Sequence, residues 1–376
     1  MNPLRQKLIQ NASIIIAGCG ALGNEVIKNL TLIGVRHLVL IDFDRVEKDN
    51  LAKSVLFKNE DAKLRIYKTM AAKREILNIN PQAIVETIEG DIAYDIGLAK
   101  VKQAQVIISC TDNRMARYAI NRLAMRAGIP WVDGGIHQMD GTVRVFAPGQ
   151  NCYECNLPPE AVKDLRRRMP CAGMVRQDIK EGKAPTNIIT ASVIGAIQAQ
   201  EAIKLLHKEE LEKGSLKSLC GRILHYDGQT MTVKTALFKA YDDNCTAHNL
   251  WEPVIKTNIS QQDTAKTALE KAKEATKDKK AEIILTNDCF TEYVERKTDG
   301  KKAEILAPGR KTAEIIDTKT ELKGTPISLL TQKEYYKIDS DFPYPDITLK
   351  QLGIPVCDIL QTTTTQGEKY LEMAKE

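Results

Sequence analysis

The chain has 376 residues, of which 43% are hydrophobic, 27% charged and 5% aromatic. At about 150 residues per domain, this length predicts two or three domains. The apolar fraction can fill a sizeable core, which excludes wholesale disorder and a collagen-like or disulfide-rich scaffold. The 54 basic and 49 acidic residues leave a net charge of +5 with both signs interspersed, which argues against a nucleic-acid partner.

Membrane insertion and disulfide formation are also disfavoured by the sequence. No apolar run approaches the ~20 residues that span a bilayer, so we expect no membrane partner. The nine cysteines are odd in number and widely scattered, which is a poor disulfide framework and is typical of a reducing compartment. We therefore expect a cytoplasmic protein.

The first elements in the chain form a βαβ unit. A β-branched run at 13–17 precedes a glycine loop and a helical pattern, and a second strand follows at 37–42. Continuous apolar runs of this kind are typical of a buried parallel sheet. Further strands are predicted at 83–88, 106–110, 131–134 and 142–146, and helices at 64–76 and 115–127. Their alternation predicts a doubly wound, Rossmann-like α/β domain with a mainly parallel sheet.

A polar, basic stretch follows this alternation. Residues from about 156 to 187 lack apolar periodicity, and we expect them to form a long crossover loop over the surface. A helix at 188–206 brings the chain back. Strands at 222–226 and 231–237 then form a predicted hairpin around Asp227-Gly228.

Changes in composition divide the chain into regions. Residues 1–252 are predicted to form the first domain, and residues 253–280, rich in Ala, Lys, Glu and Thr, a linker or exposed helix. Residues 281–376 are predicted to form a small α+β C-terminal domain. This last region carries no motif that indicates a chemistry.

The glycine loop predicts a nucleotide site. Gly18, Gly20 and Gly23 follow a strand and precede a helix, which permits a tight turn and directs helix amides at a phosphate. Asp42 lies 24 residues beyond Gly18, where a ribose-binding acid is expected. These features alone are typical of a nicotinamide dehydrogenase.

Later motifs favour a different family. The run Asp42-Phe43-Asp44-Arg45-Val46 leads to Asn50-Leu51-Ala52-Lys53, and Lys68 precedes Asn80-Pro81. Cys110-Thr111-Asp112-Asn113 then ends a predicted strand. In this order, over roughly residues 10 to 250, the set resembles the ThiF/HesA/MoeB superfamily, which contains ubiquitin-activating enzymes and sulfur-carrier adenylyltransferases. A dehydrogenase would leave Asn50, Lys68 and the metal-type cysteine pairs described below unexplained.

The resemblance implies an ATP site with defined roles. Asp42 would hold the ribose, Asn50, Lys53 and Lys68 would face the phosphates, and Asp112 would act through Mg²⁺. A carboxylate that attacks the α-phosphate needs alignment and cations rather than a general base, and this set supplies them.

The residues taken singly have simpler interpretations. Lys68 alone would be a solvated helix side chain, and Asp112 could merely cap the following helix. Lys53 stands where the family usually has arginine, which removes a bidentate fork for phosphate. The family's upstream R-x-x-R-Q element is also missing, and Arg5 is the sole nearby substitute.

Two separated pairs indicate a metal site. Cys152 and Cys155 form a CxxC pair, and Cys245 and His248 form a distant CxxH pair at the position of the family's second zinc pair. Three sulfurs and one imidazole make a plausible closed, tetrahedral structural zinc site. The alternatives are a redox CxxC, whose strand–helix context is absent, and a surface histidine with no metal role at position 248.

Cys171 is a candidate nucleophile. It lies in the basic crossover, where thioester-forming relatives carry theirs, and neighbouring Arg166–Arg168 and Lys183 would favour the thiolate. An incidental cysteine is the alternative, since many relatives adenylate without a thioester. Cys19 and Cys110 are interpreted as packing residues.

The favoured function is ATP-dependent adenylation of the C-terminal glycine of a ubiquitin-like or sulfur-carrier protein, with possible thioester formation on Cys171. Activation of a small or tRNA-linked carboxylate is one alternative, and a non-catalytic, carrier-binding subunit is another. The expected cofactors are ATP, Mg²⁺ and Zn²⁺. The resemblance implies a homodimer, and the C-terminal region could recruit the carrier or a conjugating enzyme.

Overall fold

The structure is a computed structural model that describes residues 3–168, 187–239, 241–285, 290–296, 302–308 and 330–375. The chain divides into two compact units. The first contains Met1–Ala93, Val101–Leu157 and Gly182–Leu250, and the second contains Tyr94–Lys100, Pro158–Glu181 and Trp251–Glu376.

An eight-stranded sheet organises the first unit. Its strands, in chain order, are β1 Ser13–Ala17, β2 His37–Ile41, β3 Ile84–Ile88, β4 Val106–Ser109, β5 Trp131–His137, β6 Asp140–Phe146, β7 Arg222–Asp227 and β8 Thr232–Leu237. The spatial order is β3-β2-β1-β4-β5-β6-β7-β8. The first five in that order pair in parallel, and β6, β7 and β8 are added antiparallel. The predicted mainly parallel, Rossmann-like sheet is therefore confirmed.

Helices accompany these strands along the chain. In chain order they are α1 Pro3–Asn11, α2 Ala21–Ile33, α3 Asn59–Leu64, α4 Lys68–Ile79, α5 Leu98–Lys102, α6 Arg114–Ala127, α7 Pro159–Arg168, α8 Ile188–Leu206 and α9 Lys208–Glu212, with 3-10 turns at Lys48–Lys53 and Glu154–Asn156. Helix α7 belongs to the second unit, and α5 contains residues of both units. Ile14, Ile15 and Ile16 of β1 are fully buried, as expected for a strand covered on both faces. Helix α8 contributes Ile194 and Ala202 to the same core.

The structure corrects one predicted helix. The prediction of a single helix over 64–76 is wrong, because Leu64 ends α3 and the next helix starts at Lys68. Arg65 closes α3 in a left-handed conformation, with φ at 49°. The ladder contact between Arg45 and Tyr67 then carries the chain to Lys68, whose amide bonds to the Asp44 carbonyl.

The second unit has its own core. A five-stranded sheet contains β9 Val254–Lys256, β10 Glu282–Ile284, β14 Lys337–Ile338, β15 Ile359–Thr364 and β16 Gly367–Glu372, in the order β14-β10-β15-β16-β9. A three-stranded sheet contains β11 Phe290–Arg296, β12 Lys302–Pro308 and β13 Leu330–Tyr335. Helix α10, Ala265–Thr276, buries Leu269 in the core of this unit, beside Ile283 and Leu371. A separate, smaller α+β region is thus confirmed.

Two further predictions concern the crossover and membrane insertion. The range predicted as a crossover loop contains helix α7, and residues 169–186 lie outside the described part of the structure. Among the described helices, none combines the length and apolar character needed to cross a bilayer.

Candidate functional site

A pocket of about 480 Å³ lies at the carboxyl ends of the parallel strands of the first unit. Strand β1 pairs with β2 on one side and with β4 on the other. This is the point where the strand order reverses, and crevices at such points are where open α/β sheets bind ligands. The pocket lining includes these residues predicted from the sequence: Gly18, Gly20, Asp42, Asn50, Lys53, Lys68 and Asp112.

The glycine loop is held by close backbone contacts. Gly18 has φ at 94°, and a Cβ there would lie 2.7 Å from the Cys110 carbonyl oxygen. A Cβ on Gly23 would lie 2.0 Å from the Gly18 carbonyl oxygen. Two of the three glycines are therefore required by the turn itself, while a Cβ on Gly20 would meet open space. Helix α2 begins directly after Gly20, so its free N-terminal amides border the pocket.

Asp42 ties the end of β2 to this loop. Its Oδ2 accepts a hydrogen bond from the Cys19 amide at 2.7 Å, and its Oδ1 accepts one from the Asp44 amide at 2.8 Å. Burial raises the pKa of the Asp42 carboxyl, and the nearby Lys68 ammonium partly opposes that rise. The carboxylate is thus positioned by the loop and remains on the pocket wall.

Lys68 is buried and paired. Its Nζ lies 2.6 Å from Asp44 Oδ2, and its side chain is 10% exposed. Burial alone would lower the pKa of Lys68, but Asp42 and Asp44 raise it overall. The bland interpretation of Lys68 as a solvated helix residue is therefore wrong. Asp44 was not singled out by the sequence analysis, although it lies within the quoted motif.

Asn50 and Lys53 lie in the 3-10 turn after β2. Asn50 is buried, and its Oδ1 accepts from the Glu47 amide at 2.9 Å. Lys53 is half-buried and, within the described residues, makes no ion pair. The pocket wall therefore carries one lysine that is neutralised by a carboxylate and one that is not.

Asp112 is not the cap of the following helix. Asn113 supplies that cap, because its Oδ1 accepts from the Ala116 amide at 2.7 Å. The Asp112 carboxylate is exposed on the pocket wall. The capping alternative is wrong, and the carboxylate remains available to a ligand.

A cationic wall at the far side of the pocket was not predicted from the sequence. Arg117 of α6 and Arg144 of β6 both bind the fully buried carboxylate of Asp133 on β5. Arg117 Nε lies 2.8 Å from Asp133 Oδ1, and Arg144 Nε and Nη2 lie 3.0 and 2.5 Å from Oδ2. A charged residue inside the apolar run Trp131-Val132-Asp133 was the available signal.

The four predicted metal ligands come together in the first unit. Cys152 Sγ lies 3.7 Å from the sulfurs of Cys155 and Cys245, and Cys155 Sγ lies 3.4 Å from His248 Nε2. In a tetrahedral zinc site with Zn–S bonds of about 2.3 Å, sulfurs lie about 3.8 Å apart. All four ligand atoms lie within 4.8 Å of one another, so the donor set and spacing fit zinc.

Arg122 joins the two halves of this cluster. Its guanidinium holds the buried Glu154, inside the CxxC pair, at 3.0 and 3.1 Å. Its Nη2 also donates to Thr246 Oγ1, inside the CxxH pair, at 3.2 Å. Helix α6 therefore positions residues between the ligands on both segments. Sequence reasoning did not identify Arg122, because neither segment's spacing points to a helix elsewhere in the chain.

The remaining cysteines differ from one another. Cys171 lies outside the described residues. Cys19 is fully buried, and burial raises its pKa strongly, as expected for a packing residue. Cys110 is only partly buried and borders the pocket, so its interpretation as a core residue is incomplete. Burial raises its pKa as well, which keeps the thiol protonated.

Comparisons with known proteins find relatives of this chain. A family model described as the ThiF family matches residues 1–247. The SAMP-activating enzyme E1 of Haloferax volcanii is 30% identical over 243 residues, covering 65% of this chain and 83% of that protein. The molybdopterin-synthase adenylyltransferase of Haemophilus influenzae is 31% identical over 230 residues, covering 61% and 86%.

Solved structures show the same fold. A crystal structure of E. coli MccB with succinimide superposes with a TM-score of 0.52 at 24% identity, covering 65% of this chain and 68% of that one. At this identity the likeness concerns the fold alone.

Proposed function

The chain belongs to the ThiF family, and from that membership we propose that it adenylates the C-terminal glycine of a ubiquitin-like or sulfur-carrier protein. It is an ATP-dependent adenylyltransferase, and two of its relatives are named as adenylyltransferases. The observation that carries the proposal is the single pocket wall that unites the glycine loop, Asp42, Lys68 and Asp112.

The reaction joins a carboxylate to AMP. A carboxylate oxygen attacks the α-phosphorus, the bond from that phosphorus to the bridging β-phosphate oxygen breaks, and pyrophosphate leaves with the electron pair. The attacking group is already ionised, so the site must align it and offset the developing negative charge. No side chain has to remove a proton.

Each pocket residue has a proposed part in that task. Asp42 accepts from the ribose hydroxyls, and the amides at the start of α2 face the phosphates. Lys68 and Lys53 offset phosphate charge, and Asn50 donates to a phosphate oxygen. Asp112 would hold Mg²⁺, which when bound neutralises charge on the phosphates.

The zinc cluster has a structural part. With four protein ligands, the site would be closed, as structural zinc sites are, and would leave no open position for a substrate. Because Cys152–Cys155 and Cys245–His248 lie about ninety residues apart, the metal would fasten two distant segments of the first unit. We assign it no step in the reaction.

Isotope exchange tests the proposal. We expect labelled pyrophosphate to enter ATP only when the enzyme is given a ubiquitin-like protein ending in Gly-Gly. Asp112→Asn should abolish the exchange. Asn113→Ala, which removes the helix cap, should reduce stability but leave the exchange detectable. Exchange that is as fast with a small carboxylate alone as with the carrier protein would contradict the proposed substrate.

Thioester formation on Cys171 is the finer part of the proposal. Its support is the position of Cys171 in a basic segment of the sequence. With carrier and ATP, the wild type should form an adduct that a thiol cleaves, and Cys171→Ser should form none or an oxygen ester stable to thiol. Carrier-dependent exchange by Cys171→Ser at the wild-type rate would show that adenylation is independent of this thiol.

The partners and location follow from the same family membership. We propose a homodimer in the cytoplasm that acts on a carrier protein, with the second unit recruiting that carrier or a conjugating enzyme. Light scattering of the purified chain would test the dimer, and a mass of one chain would contradict it.

A further inference from the structure

The order of strands gives the pocket two chemically different ends. Asp42 follows β2, the glycine loop follows β1, and Asp112 follows β4. Beyond β4 the wall is made by β5 and β6, which contribute Gly134, Gly135 and Arg144. The groups assigned to ribose and phosphates therefore occupy the β2–β1–β4 side, and the β5–β6 side carries no group assigned to the nucleotide.

The β5–β6 side carries a built cationic group. Asp133 is fully buried, and both its oxygens are occupied by Arg117 and Arg144. Arg117 Nη2 also donates to the carbonyl oxygens of Thr111, at 2.8 Å, and Gly134, at 3.2 Å. Both guanidiniums are thus fixed by several bonds, and their side chains are only 13% and 24% exposed.

The charge of this group is not balanced. Two guanidiniums and one carboxylate leave a net charge of +1, and within the described residues neither arginine forms an ion pair with another acid. The Nη1 group of each arginine has no hydrogen-bond partner in the part of the chain that the structure describes. The exposed carboxylates of Asp112 and Asp140 also line the pocket, and neither forms an ion pair with the two guanidiniums within the described residues, although the Asp112 charge helps to raise the pKa of Arg117.

We infer that Arg117 and Arg144 form the subsite that binds the attacking carboxylate of the acyl substrate. A planar, fixed guanidinium matches a carboxylate better than an ammonium does, and charge-assisted hydrogen bonds are the strong ones. A carboxylate that approaches ATP meets phosphates of its own sign, and the net positive wall offsets that repulsion. Asp133 is a positioning residue that holds Arg117 through one carboxylate oxygen and Arg144 through the other.

Strand β5 contributes two glycines, Gly134 and Gly135, to the pocket lining beside Arg117. A Cβ on Gly135 would lie 2.9 Å from Thr142 Oγ1 and 3.7 Å from Arg117 Nη2. A side chain there would therefore press on Thr142, while its contact with the guanidinium would be an ordinary van der Waals one. The floor of the subsite beside Arg117 is main chain, which an extended C-terminal peptide can approach closely.

Binding of two synthetic peptides ending in Gly-Gly tests this inference, which rests on the proposed function. One peptide has a free C-terminal carboxylate and the other a carboxamide, so their affinity ratio isolates the carboxylate. We expect the full-length wild type to prefer the acid by about tenfold, the effect of one charge-assisted hydrogen bond. In Arg144→Gln, whose amide can still donate to Asp133, the preference should fall to about one.

Two further variants guard against a purely structural effect. Arg144→Lys keeps the charge but loses the fork, so its preference should be intermediate, and it serves if Arg144→Gln fails to fold. Arg222→Gln removes an exposed arginine from β7, outside the pocket, and should bind both peptides as the wild type does. If the role of Arg144 were merely structural, its variants would bind both peptides more weakly by the same factor, and the ratio of acid to carboxamide affinity would stay unchanged.

The outcomes separate this inference from the proposed function. If the wild type adenylates a carrier but Arg144→Gln and Arg144→Lys keep the wild-type acid preference, the subsite is wrong and the function stands. If the wild type prefers the acid and Arg144→Gln does not, yet no carrier supports exchange, the subsite stands and the protein substrate is wrong. Equal wild-type binding of both peptides would overturn the subsite directly.

Discussion

Replacing Lys68 by glutamine perturbs a buried, paired cation of the nucleotide pocket. Lys68 Nζ lies 2.6 Å from Asp44 Oδ2, and the two side chains are 10% and 50% exposed. A hydrogen bond between charged groups contributes about 1.5–3 kcal/mol, and the exposure of Asp44 reduces that value through solvent screening. We therefore expect the variant to lose about 1–2 kcal/mol of unfolding free energy.

The same substitution should slow the reaction by more than it weakens the fold. Loss of one fixed donor to a developing charge costs about 10²-fold in rate, or about 2.7 kcal/mol. Lys53→Gln is the matched control, because Lys53 is half-buried in the same pocket and makes no ion pair within the described residues. It should slow exchange while changing the unfolding free energy by less than about 0.5 kcal/mol.

Urea unfolding gives the stabilities, and carrier-dependent pyrophosphate exchange gives the rates. Both variants should exchange pyrophosphate slowly, and only Lys68→Gln should lose stability. Wild-type exchange by Lys68→Gln would refute the assigned role of Lys68. Equal losses of stability in both variants would refute the importance of the Asp44 pair.

Three other predictions concern the metal, the loop and pH. Cys245→Ser should lower zinc affinity by more than about 100-fold, because even the loss of a residue that only hydrogen-bonds to a metal ligand costs about 10–100-fold. Plasma mass spectrometry of the purified variant should therefore find almost no zinc. Gly23→Ala should cost about 1–3 kcal/mol in urea unfolding, since its Cβ would meet a backbone oxygen at 2.0 Å, whereas Gly20→Ala should leave stability unchanged. Burial raises the pKa of Asp42, and the Lys68 ammonium opposes that rise, so the exchange rate should fall as the pH drops and Asp42 becomes protonated. Because Lys68→Gln removes the opposing charge, it should move this acid limb of the pH profile to higher pH. An acid limb at the wild-type pH in Lys68→Gln would contradict the prediction.

The nucleotide pocket was predictable because its residues follow consecutive strands. The carboxyl ends of parallel strands meet at one edge of a sheet, so the glycine loop, Asp42 and Asp112 were bound to meet once the strands were recognised. The four metal ligands were predictable for a different reason, because spacing within each pair is local and Cys and His in such pairs are typical zinc ligands. Relative geometry was the only unknown, and the structure brings all four together.

The partners of these residues were not predictable from local patterns. Lys68 meets Asp44 because the chain between them turns back at Arg65, which has a left-handed conformation. Since this residue is not a glycine, the sequence does not indicate the turn. Arg117 and Arg144 meet through Asp133, which joins a helix to two strands. Such pairings depend on long-range packing, and a sequence shows only that an acidic residue stands in an apolar strand.

Adenylation of a carrier protein is the central claim, and intact mass spectrometry tests it most directly. A ubiquitin-like protein ending in Gly-Gly should gain the mass of one adenylyl group when incubated with ATP, magnesium, pyrophosphatase and this enzyme. The gain should be absent with Asp112→Asn and absent when the carrier's C-terminal glycine is removed. The claim would be contradicted if the enzyme is folded and binds ATP but leaves the mass of every Gly-Gly protein of the same cell unchanged.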